Sequence, residues 1–486
     1  MLKLKTPLYA TILLLGIVTL LNVWVANRIG LSPDEAHYAL YADHLALSYY
    51  DHPPLVGWLQ ALIIPFSHSD FALRLWPLLF NLGSAIILYR LSTLFFPHEK
   101  RWFGFFCVAM MQAGIIINLL GLALIPQTLL IFFGLLTLFY LHKAIQHEKL
   151  IDFLLLGFCL GFSALSEYTA AFLALASVLY IITKKPQLLY NYKLYCTALL
   201  TLLCVLPILF WNYQHDWISF SYQQNHVLSE GHWSGKLFSL SQLAQIFCYT
   251  PALYIFGLLA VCTKPRYWRF DSVRLLVLFV VPTLLFFAYG AGYTFTLPHW
   301  TALAWLATIP LSVRYIYHHW QRTIVKILVW CSIIYSVLLI LLLHVLASQA
   351  WLNLPLAQQP LRDLYGWQQA ADVALYDLST LPSIQLPKPI LFVTNWSLAS
   401  RLAWYSQHPV QIVGSEGNAQ FTIWYGRPAE NSNGIVVLPY GTSADLVGPQ
   451  AGQFKSCYPL PQLMIYNHQK LVNSFNFYNC RGYQIK

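Results

Sequence analysis

Residues 8–26 read LYATILLLGIVTLLNVWVA, and residues 31–38, a few positions on, read LSPDEAHY. The first stretch carries no charge and, at about 1.5 Å per residue, is long enough to cross the roughly 30 Å hydrocarbon layer of a bilayer. The second sets two carboxylates directly beyond its end. No small-residue cleavage site of the A-x-A kind lies between them; Trp24, Asn27 and Arg28 stand there instead. The apolar stretch is therefore expected to remain as a first helix rather than to be removed as a signal peptide.

The same alternation of apolar span and short polar connection continues to Leu346. Spans fall near 8–26, 73–96, 102–119, 123–141, 152–166, 169–183, 194–211, 245–262, 273–290, 299–313 and 325–346. This predicts a polytopic α-helical membrane protein with about eleven transmembrane helices, and up to thirteen. The spans at 152–166, 169–183 and 299–313 fall below the roughly 17-residue lower limit for crossing. Pro53–Phe66 is apolar but short, as suits a helix at the interface or a re-entrant segment. Composition agrees. Of 486 residues 58% are hydrophobic and 9% charged, where a soluble protein has about 25% charged. Such a chain cannot cover a soluble surface, which excludes a disordered chain, a coiled coil and an ordinary cytosolic enzyme.

The formal charge of +10 reflects orientation. With the amino terminus cytoplasmic, sixteen Lys and Arg fall in cytoplasmic connections, Lys264, Arg266 and Arg269 among them. The opposite connections before residue 347 hold three: Arg28, Arg74 and Lys236. This is the positive-inside bias. It places Asp34, Glu35, Asp43, Asp51, Asp70, Glu167, Asp216 and Glu230 outside, and the basic balance gives no reason to expect a nucleic-acid partner.

After Leu346 the composition turns polar, and residues 347–486 are expected to form an extracytoplasmic α/β domain following a transmembrane domain over 1–346. Pro389–Asn395 reads as a buried strand, and Ser397–Ser406 as a helix capped by Asn395 or Ser397. Val410–Val413, Phe421–Trp424 and Gly434–Leu438 read as further short strands. Seven cysteines lie in or beside apolar spans; Cys457 and Cys480 alone fall in the polar domain, where an oxidising compartment would allow them to pair.

The first external loop, 27–72, is the stretch richest in reactive groups. Leu31–Tyr38 (LSPDEAHY) and Tyr49–Leu55 (YYDHPPL) gather Asp34, Glu35, Asp51, His37 and His52 beside apolar spans. Ser32 with Pro33 and two acids is also a helix start, so capping is the structural alternative for Asp34 and Glu35. The double proline fixes an extended backbone that would hold Asp51 and His52 near the membrane surface. Arg74 stands just outside the next strong span, where it would bind phosphate or snorkel. His215 and Asp216 lie between Trp211 and Trp217, at an expected interface where they could line an acceptor entrance. Glu167 beside Tyr168 is an acid at a depth where it needs a cationic, metal or wet partner. No Walker loop, G-x-G-x-x-G fingerprint or C-x-x-C pair occurs, so no nucleotide cofactor is expected.

DEAHY, a short helix and YYDHPPLVGWL together resemble the bacterial protein-mannosyltransferase-like family. That family belongs to the GT-C membrane glycosyltransferases, whose relatives include the lipid A aminoarabinose transferases. Phe71–Leu75 (FALRL), Leu209–Phe220 (LFWNYQHDWISF), Leu297–Thr301 (LPHWT), Gly366–Ala371 (GWQQAA) and the segment PILFVTNWSLASRLAWYS extend the resemblance over most of the chain. Two positions depart from it. The family has Lys before Tyr-Thr where this chain has Glu167, and often Thr-Pro-Asp where this chain has Ile125-Pro126-Gln127.

The resemblance implies a GT-C architecture and transfer of a sugar from a polyprenyl phosphate to an envelope acceptor, lipid A or another glycan. The site would lie on the periplasmic side of a bacterial inner membrane. It makes Asp34 the catalytic base, with Glu35 beside it. It leaves Arg74, His52, His215, Asp216, Glu167 and Tyr168 to bind donor phosphate or acceptor. Asp51 and His299, as carboxylate and imidazole, suit a divalent metal (Zn, Mn or Mg) or phosphate positioning. The family Lys would suit a phosphate; with Glu167 there, that role would pass to Arg74, Lys236 or a metal. Protein O-mannosyl transfer, a lipid flippase or transporter, and a non-catalytic scaffold are the alternatives. Acids clustered in external loops, without repeated halves, favour the transferase over the transporter.

Overall fold

The structure, a computed structural model, describes residues 2–227, 232–262, 270–348, 354–359, 361–382, 388–413, 419–442, 446 and 453–485. The chain forms two compact units. One comprises Met1–Trp24, Ala46–Val56 and Arg74–Leu341; the other comprises Val25–Leu45, Gly57–Leu73 and Leu342–Lys486. Lys264, Arg266, Arg269 and Glu230 lie outside the described residues.

The first unit is helical, and each predicted span falls largely on helix, with 102–119 broken at Gly114, 123–141 helical from Pro126 and 245–262 broken at Thr250. Among the described residues six helices are long and apolar enough to cross a membrane: Thr6–Ala26, Asp70–Phe95, Pro126–His147, Tyr192–Gln214, Asp271–Gly290 and Thr323–Ala347. A seventh results if Gly235–Tyr249 and Pro251–Cys262, which meet at 108°, are taken together. The bend falls at Thr250, whose φ of 77° is incompatible with helix, followed by a proline. Phe103–Ala113 and Leu150–Ser166 are shorter helices. The protein is thus a multi-pass membrane protein.

Helix packing here follows from small residues. A Cβ on Gly157 would stand 2.8 Å from the Thr197 carbonyl oxygen, and one on Gly161 2.6 Å from the Cys204 Cβ. This small-x-x-x-small stripe lets Leu150–Ser166 lie close against Tyr192–Gln214, where hydrophobic driving force is weak inside lipid. Closeness also brings hydroxyls to carbonyls: Thr197 Oγ1 donates to Phe153 O at 2.8 Å and Thr201 Oγ1 to Gly157 O at 3.1 Å. Basic residues assigned by charge bias to the cytoplasmic connections are ion-paired with acids near helix ends. Lys143 pairs with Asp152 (3.2 Å), Lys184 with Asp271 (2.6 Å), Arg314 with Glu99 (2.8 Å), and Lys185 with Glu148.

The second unit is built on a mixed sheet of β1 (Ile390–Val393), β2 (Val410–Ile412), β3 (Gly434–Pro439), β4 (Phe454–Pro459), β5 (Leu463–Asn467) and β6 (Lys470–Tyr483). The order is β2-β1-β3-β6-β4, with β5 also on β6. β2, β1 and β3 are parallel; β6 runs antiparallel to its three neighbours. Period-two alternation divides the core. Leu391, Val393, Ile435 and Val437 face one cluster with Ala399, Leu402 and Ala403, while Phe392, Val436 and Leu438 face another with Phe454. β3 is buried at all six positions, as a central strand covered on both faces must be. Asn395 caps the helix Trp396–Ser406 by accepting from Leu398 N at 3.1 Å.

Phe421–Trp424, expected as a strand, lies instead in the helix Ala419–Tyr425. An aromatic run of this length fits either period. The helix wins because it places Phe421, Trp424 and Tyr425, at i, i+3 and i+4, on one face. Segments of the first loop belong to the same core: Leu31, Ala36, Ala39, Leu40 and Leu73 are buried with Trp367, Leu402 and Phe475.

Candidate functional site

In the second unit, the loop acids begin a helix, Pro33–Asp43. Ser32 Oγ accepts from Glu35 N at 3.3 Å, and Glu35 Oε2 accepts from Ser32 N at 2.9 Å. This is a reciprocal capping box, with Pro33 at the first helical position. Glu35 is buried, 8% exposed, and its carboxylate serves the helix end. The acid expected beside the catalytic base thus also caps its helix, its carboxylate bound by the Ser32 N–H. Asp34, one residue earlier, is half-buried and takes no part in the capping box.

The helix carrying Asp34 is fixed by rings. His37 lies 5.3–6.1 Å from the rings of Tyr41, Trp396, Tyr38, Trp424 and Phe421, and its Nδ1 is 3.2 Å from Ser400 Oγ. His44 stacks on Trp424 at 4.8 Å and bonds Tyr425 Oη at 2.9 Å. Burial lowers the His44 imidazole below its ordinary range. Asp70, which the sequence marked only by its sign, accepts from Tyr405 Oη at 2.6 Å and from Trp404 Nε1 at 3.4 Å. Tyr405 Oη in turn accepts from Leu31 N at 2.8 Å.

In the helical unit, His52, Gln127, Glu167, Thr169, Gln223 and Trp300 help line a small cavity of about 50 Å³, room enough for water. Glu167 is 3% exposed. Its Oε2 accepts from Gln127 Nε2 at 2.9 Å and lies 3.3 Å from His52 Nδ1; its Oε1 accepts from Tyr168 N at 3.2 Å. The two positions at which the chain departs from the family pattern it resembles therefore touch. Where the pattern has a carboxylate and an ammonium, this chain has an amide and a carboxylate, and these two are hydrogen-bonded. Glu167 was expected to need a cation or a metal; an amide and an imidazole meet that need.

The loop beside this cavity is tied down by backbone. Ser219 Oγ donates to Tyr49 O at 2.8 Å, Gln223 Nε2 donates to Asp51 O, and Tyr49 N donates to His52 O at 3.2 Å. Asp51 itself is half-buried. His299 sits in the turn Pro298–Thr301, beside the helix Ala302–His319. Tyr168 Oη lies 3.4 Å from Ser48 Oγ. Arg74 is 1% exposed, which overturns a snorkelling role. His215 stacks on Trp211 at 3.9 Å with Nδ1 2.8 Å from Trp211 O, while Asp216 is exposed at a φ of 53°. These two residues shape a turn beside a tryptophan and are not part of the Glu167 cavity. Among the described residues no group of three or more His, Cys, Asp or Glu is placed to hold a metal ion. Asp51 and His299 belong to no such group. In the second unit Cys457 and Cys480, opposite one another on β4 and β6, are joined in a disulfide.

Residues 51–211 match the family model described as dolichyl-phosphate-mannose-protein mannosyltransferase. The ArnT of Cupriavidus metallidurans, solved bound to undecaprenyl phosphate, superposes with a TM-score of 0.65 over 97% of this chain and 98% of that one, at 14% identity. The chain has the GT-C fold. The apo form of ArnT superposes on this chain with a TM-score of 0.59 at 16% identity, over 96% and 97% of the two chains. The resemblance read from DEAHY and YYDHPPL is borne out by these matches. Among curated relatives, the lipid A galacturonosyltransferase RgtD of Rhizobium johnstonii is 24% identical over 60% of this chain. The lipopolysaccharide core galacturonosyltransferase RgtB of the same organism is 28% identical over 39%. The chain matches 61% and 39% of their respective lengths, less than two thirds of either.

Proposed function

We propose that this protein is an inverting membrane glycosyltransferase. It moves a sugar from a polyprenyl-phosphate donor to lipid A or another lipopolysaccharide glycan, at the periplasmic face of a bacterial inner membrane. The observation that carries the reading is the fold: over 97% of its length the chain follows a structure solved with undecaprenyl phosphate bound. The names of both curated relatives, which give lipid A and lipopolysaccharide core as their targets, support the acceptor class.

In this reaction an acceptor hydroxyl oxygen bonds to the anomeric carbon as the bond from that carbon to the phosphate oxygen breaks. The hydroxyl proton passes to a carboxylate, and the bonding pair leaves with the polyprenyl phosphate. Asp34 is the base, because Glu35 is held in the capping box.

Mass spectrometry of lipid A and core oligosaccharide from cells with and without the gene tests the reading. A glycolipid one sugar residue lighter in the deletion, restored by the wild-type gene but not by Asp34→Asn, is the expected result. Identical glycolipid masses in the two strains would overturn it.

A further inference from the structure

The second unit holds a groove that the reaction above does not use. It measures about 460 Å³, within the usual range of roughly 300–1,000 Å³ for small-molecule sites. Its wall is made by Asp70, Trp404 and Tyr405, and the amides of Asn27, Gln368 and Gln407 also line it. The wall is organised by its own bonds. Asp70 accepts from both ring residues, at 2.6 and 3.4 Å. Gln407 Nε2 donates to Trp404 O at 2.6 Å, and Gln368 Nε2 to Asp372 Oδ1 at 3.0 Å.

This lining selects a chemistry. A pyranose has an apolar C–H face and a rim of adjacent hydroxyls, each both donor and acceptor. Aromatic rings cover the first; amides and carboxylates, with acceptor and donor atoms side by side, match the second. No Lys or Arg lines the groove. A phosphate or a sugar carboxylate would meet the Asp70 carboxylate, which repels it, and only the imidazole of His68 in place of a permanent cation. We propose that the groove is a saccharide-binding site that takes neutral or amino sugars and rejects acidic ones. Its natural occupant is the glycan part of the acceptor, and this last assignment rests on the proposed function; the binding itself does not.

The test uses the full-length protein in lipid nanodiscs, with saturation-transfer NMR against methyl galactoside, glucosamine and galacturonate. The first two are expected to show contacts, and galacturonate none. Gln368→Trp fills the groove from an exposed position in the first turn of Trp367–Ser379, and should weaken binding at least tenfold. Asn27→Ala, also at an exposed position, should weaken it several-fold and serves if the larger side chain disturbs folding. In transfer assays both variants raise KM for the glycolipid acceptor and leave kcat in place. Binding unchanged in both variants, or galacturonate bound as well as methyl galactoside, overturns the site. A protein that binds sugar in the groove yet transfers none refutes the proposed reaction and leaves the groove standing. A protein that transfers sugar while both variants bind as wild type refutes the groove alone.

Discussion

Two neighbouring acids of one helix turn should respond oppositely to loss of charge. In Glu35→Gln the amide oxygen still accepts from Ser32 N, the bond that measures 2.9 Å with the carboxylate. Glutamine is an accepted partner at this place in a capping box. What is lost is a negative charge near the positive end of a helix, about 0.3–1 kcal/mol. The variant should melt at most slightly lower and keep turnover within a few-fold. Glu35→Leu removes the acceptor and leaves a backbone N–H short of its partner, which costs about 1–3 kcal/mol. Asp34→Asn has no cap to disturb, but it removes the proton acceptor. General bases contribute about 10²–10⁴ in rate, equivalent to roughly 3–5 kcal/mol of barrier. The assay is turnover of purified protein on a polyprenyl-phosphate sugar, with the melting temperature measured alongside. If Glu35→Gln is as inactive as Asp34→Asn while melting like wild type, the division of labour proposed here is wrong.

Four further outcomes are expected. Glu167→Lys and Gln127→Asp should each destabilise the protein, and the double variant, which recreates the family pair, should recover about 0.5–3 kcal/mol of coupling by thermal unfolding; strict additivity would mean that the 2.9 Å contact carries no energy. Gly161→Val, forced against Cys204, should cost about 1–3 kcal/mol and lower the melting temperature. Because burial lowers the His44 pKa, the unfolded chain takes up a proton more readily than the folded one. Stability contributed by neutral His44 is therefore present above the ordinary histidine pKa of about 6.5 and falls as pH drops below it. Melting curves of His44→Gln between about pH 7.5 and 5 should be flatter than wild type. Reducing the Cys457–Cys480 bond, which closes a loop with a sequence separation of 23, should destabilise the second unit by about 3 kcal/mol, read as a drop in melting temperature under reductant.

Long-range position decided what the sequence could show. The spans were legible because apolarity at the scale of a bilayer needs no partner to be recognised. PILFVTN and the Asn395 cap were legible because their signals are local. Phe421–Trp424 was misassigned because four aromatic-rich residues satisfy either period until His37 and His44 supply the rings they pack against. The capping box of Glu35 is legible in S-P-D-E, because the spacing from Ser32 puts Glu35 and not Asp34 at the third helical position. The contact between Gln127 and Glu167 joins residues forty apart. Both departures could be read singly, but only the fold makes them one exchange. Asp70 carried no motif at all, and its place between Trp404 and Tyr405 joins positions more than three hundred residues apart.

The interleaving of the second unit bears on how the protein is made. Leu31, Ala36, Leu40 and Leu73 leave the ribosome near the start of synthesis, but the side chains that bury them, from Trp367 to Phe475, come after nearly the whole helical unit. Until then these early segments have an apolar face and no core to join. Translation must end, or nearly so, before the Asp34 helix reaches its final seat. A chain arrested after the last long helix would thus be inserted yet inactive, its first loop exposed to proteases that the completed protein resists.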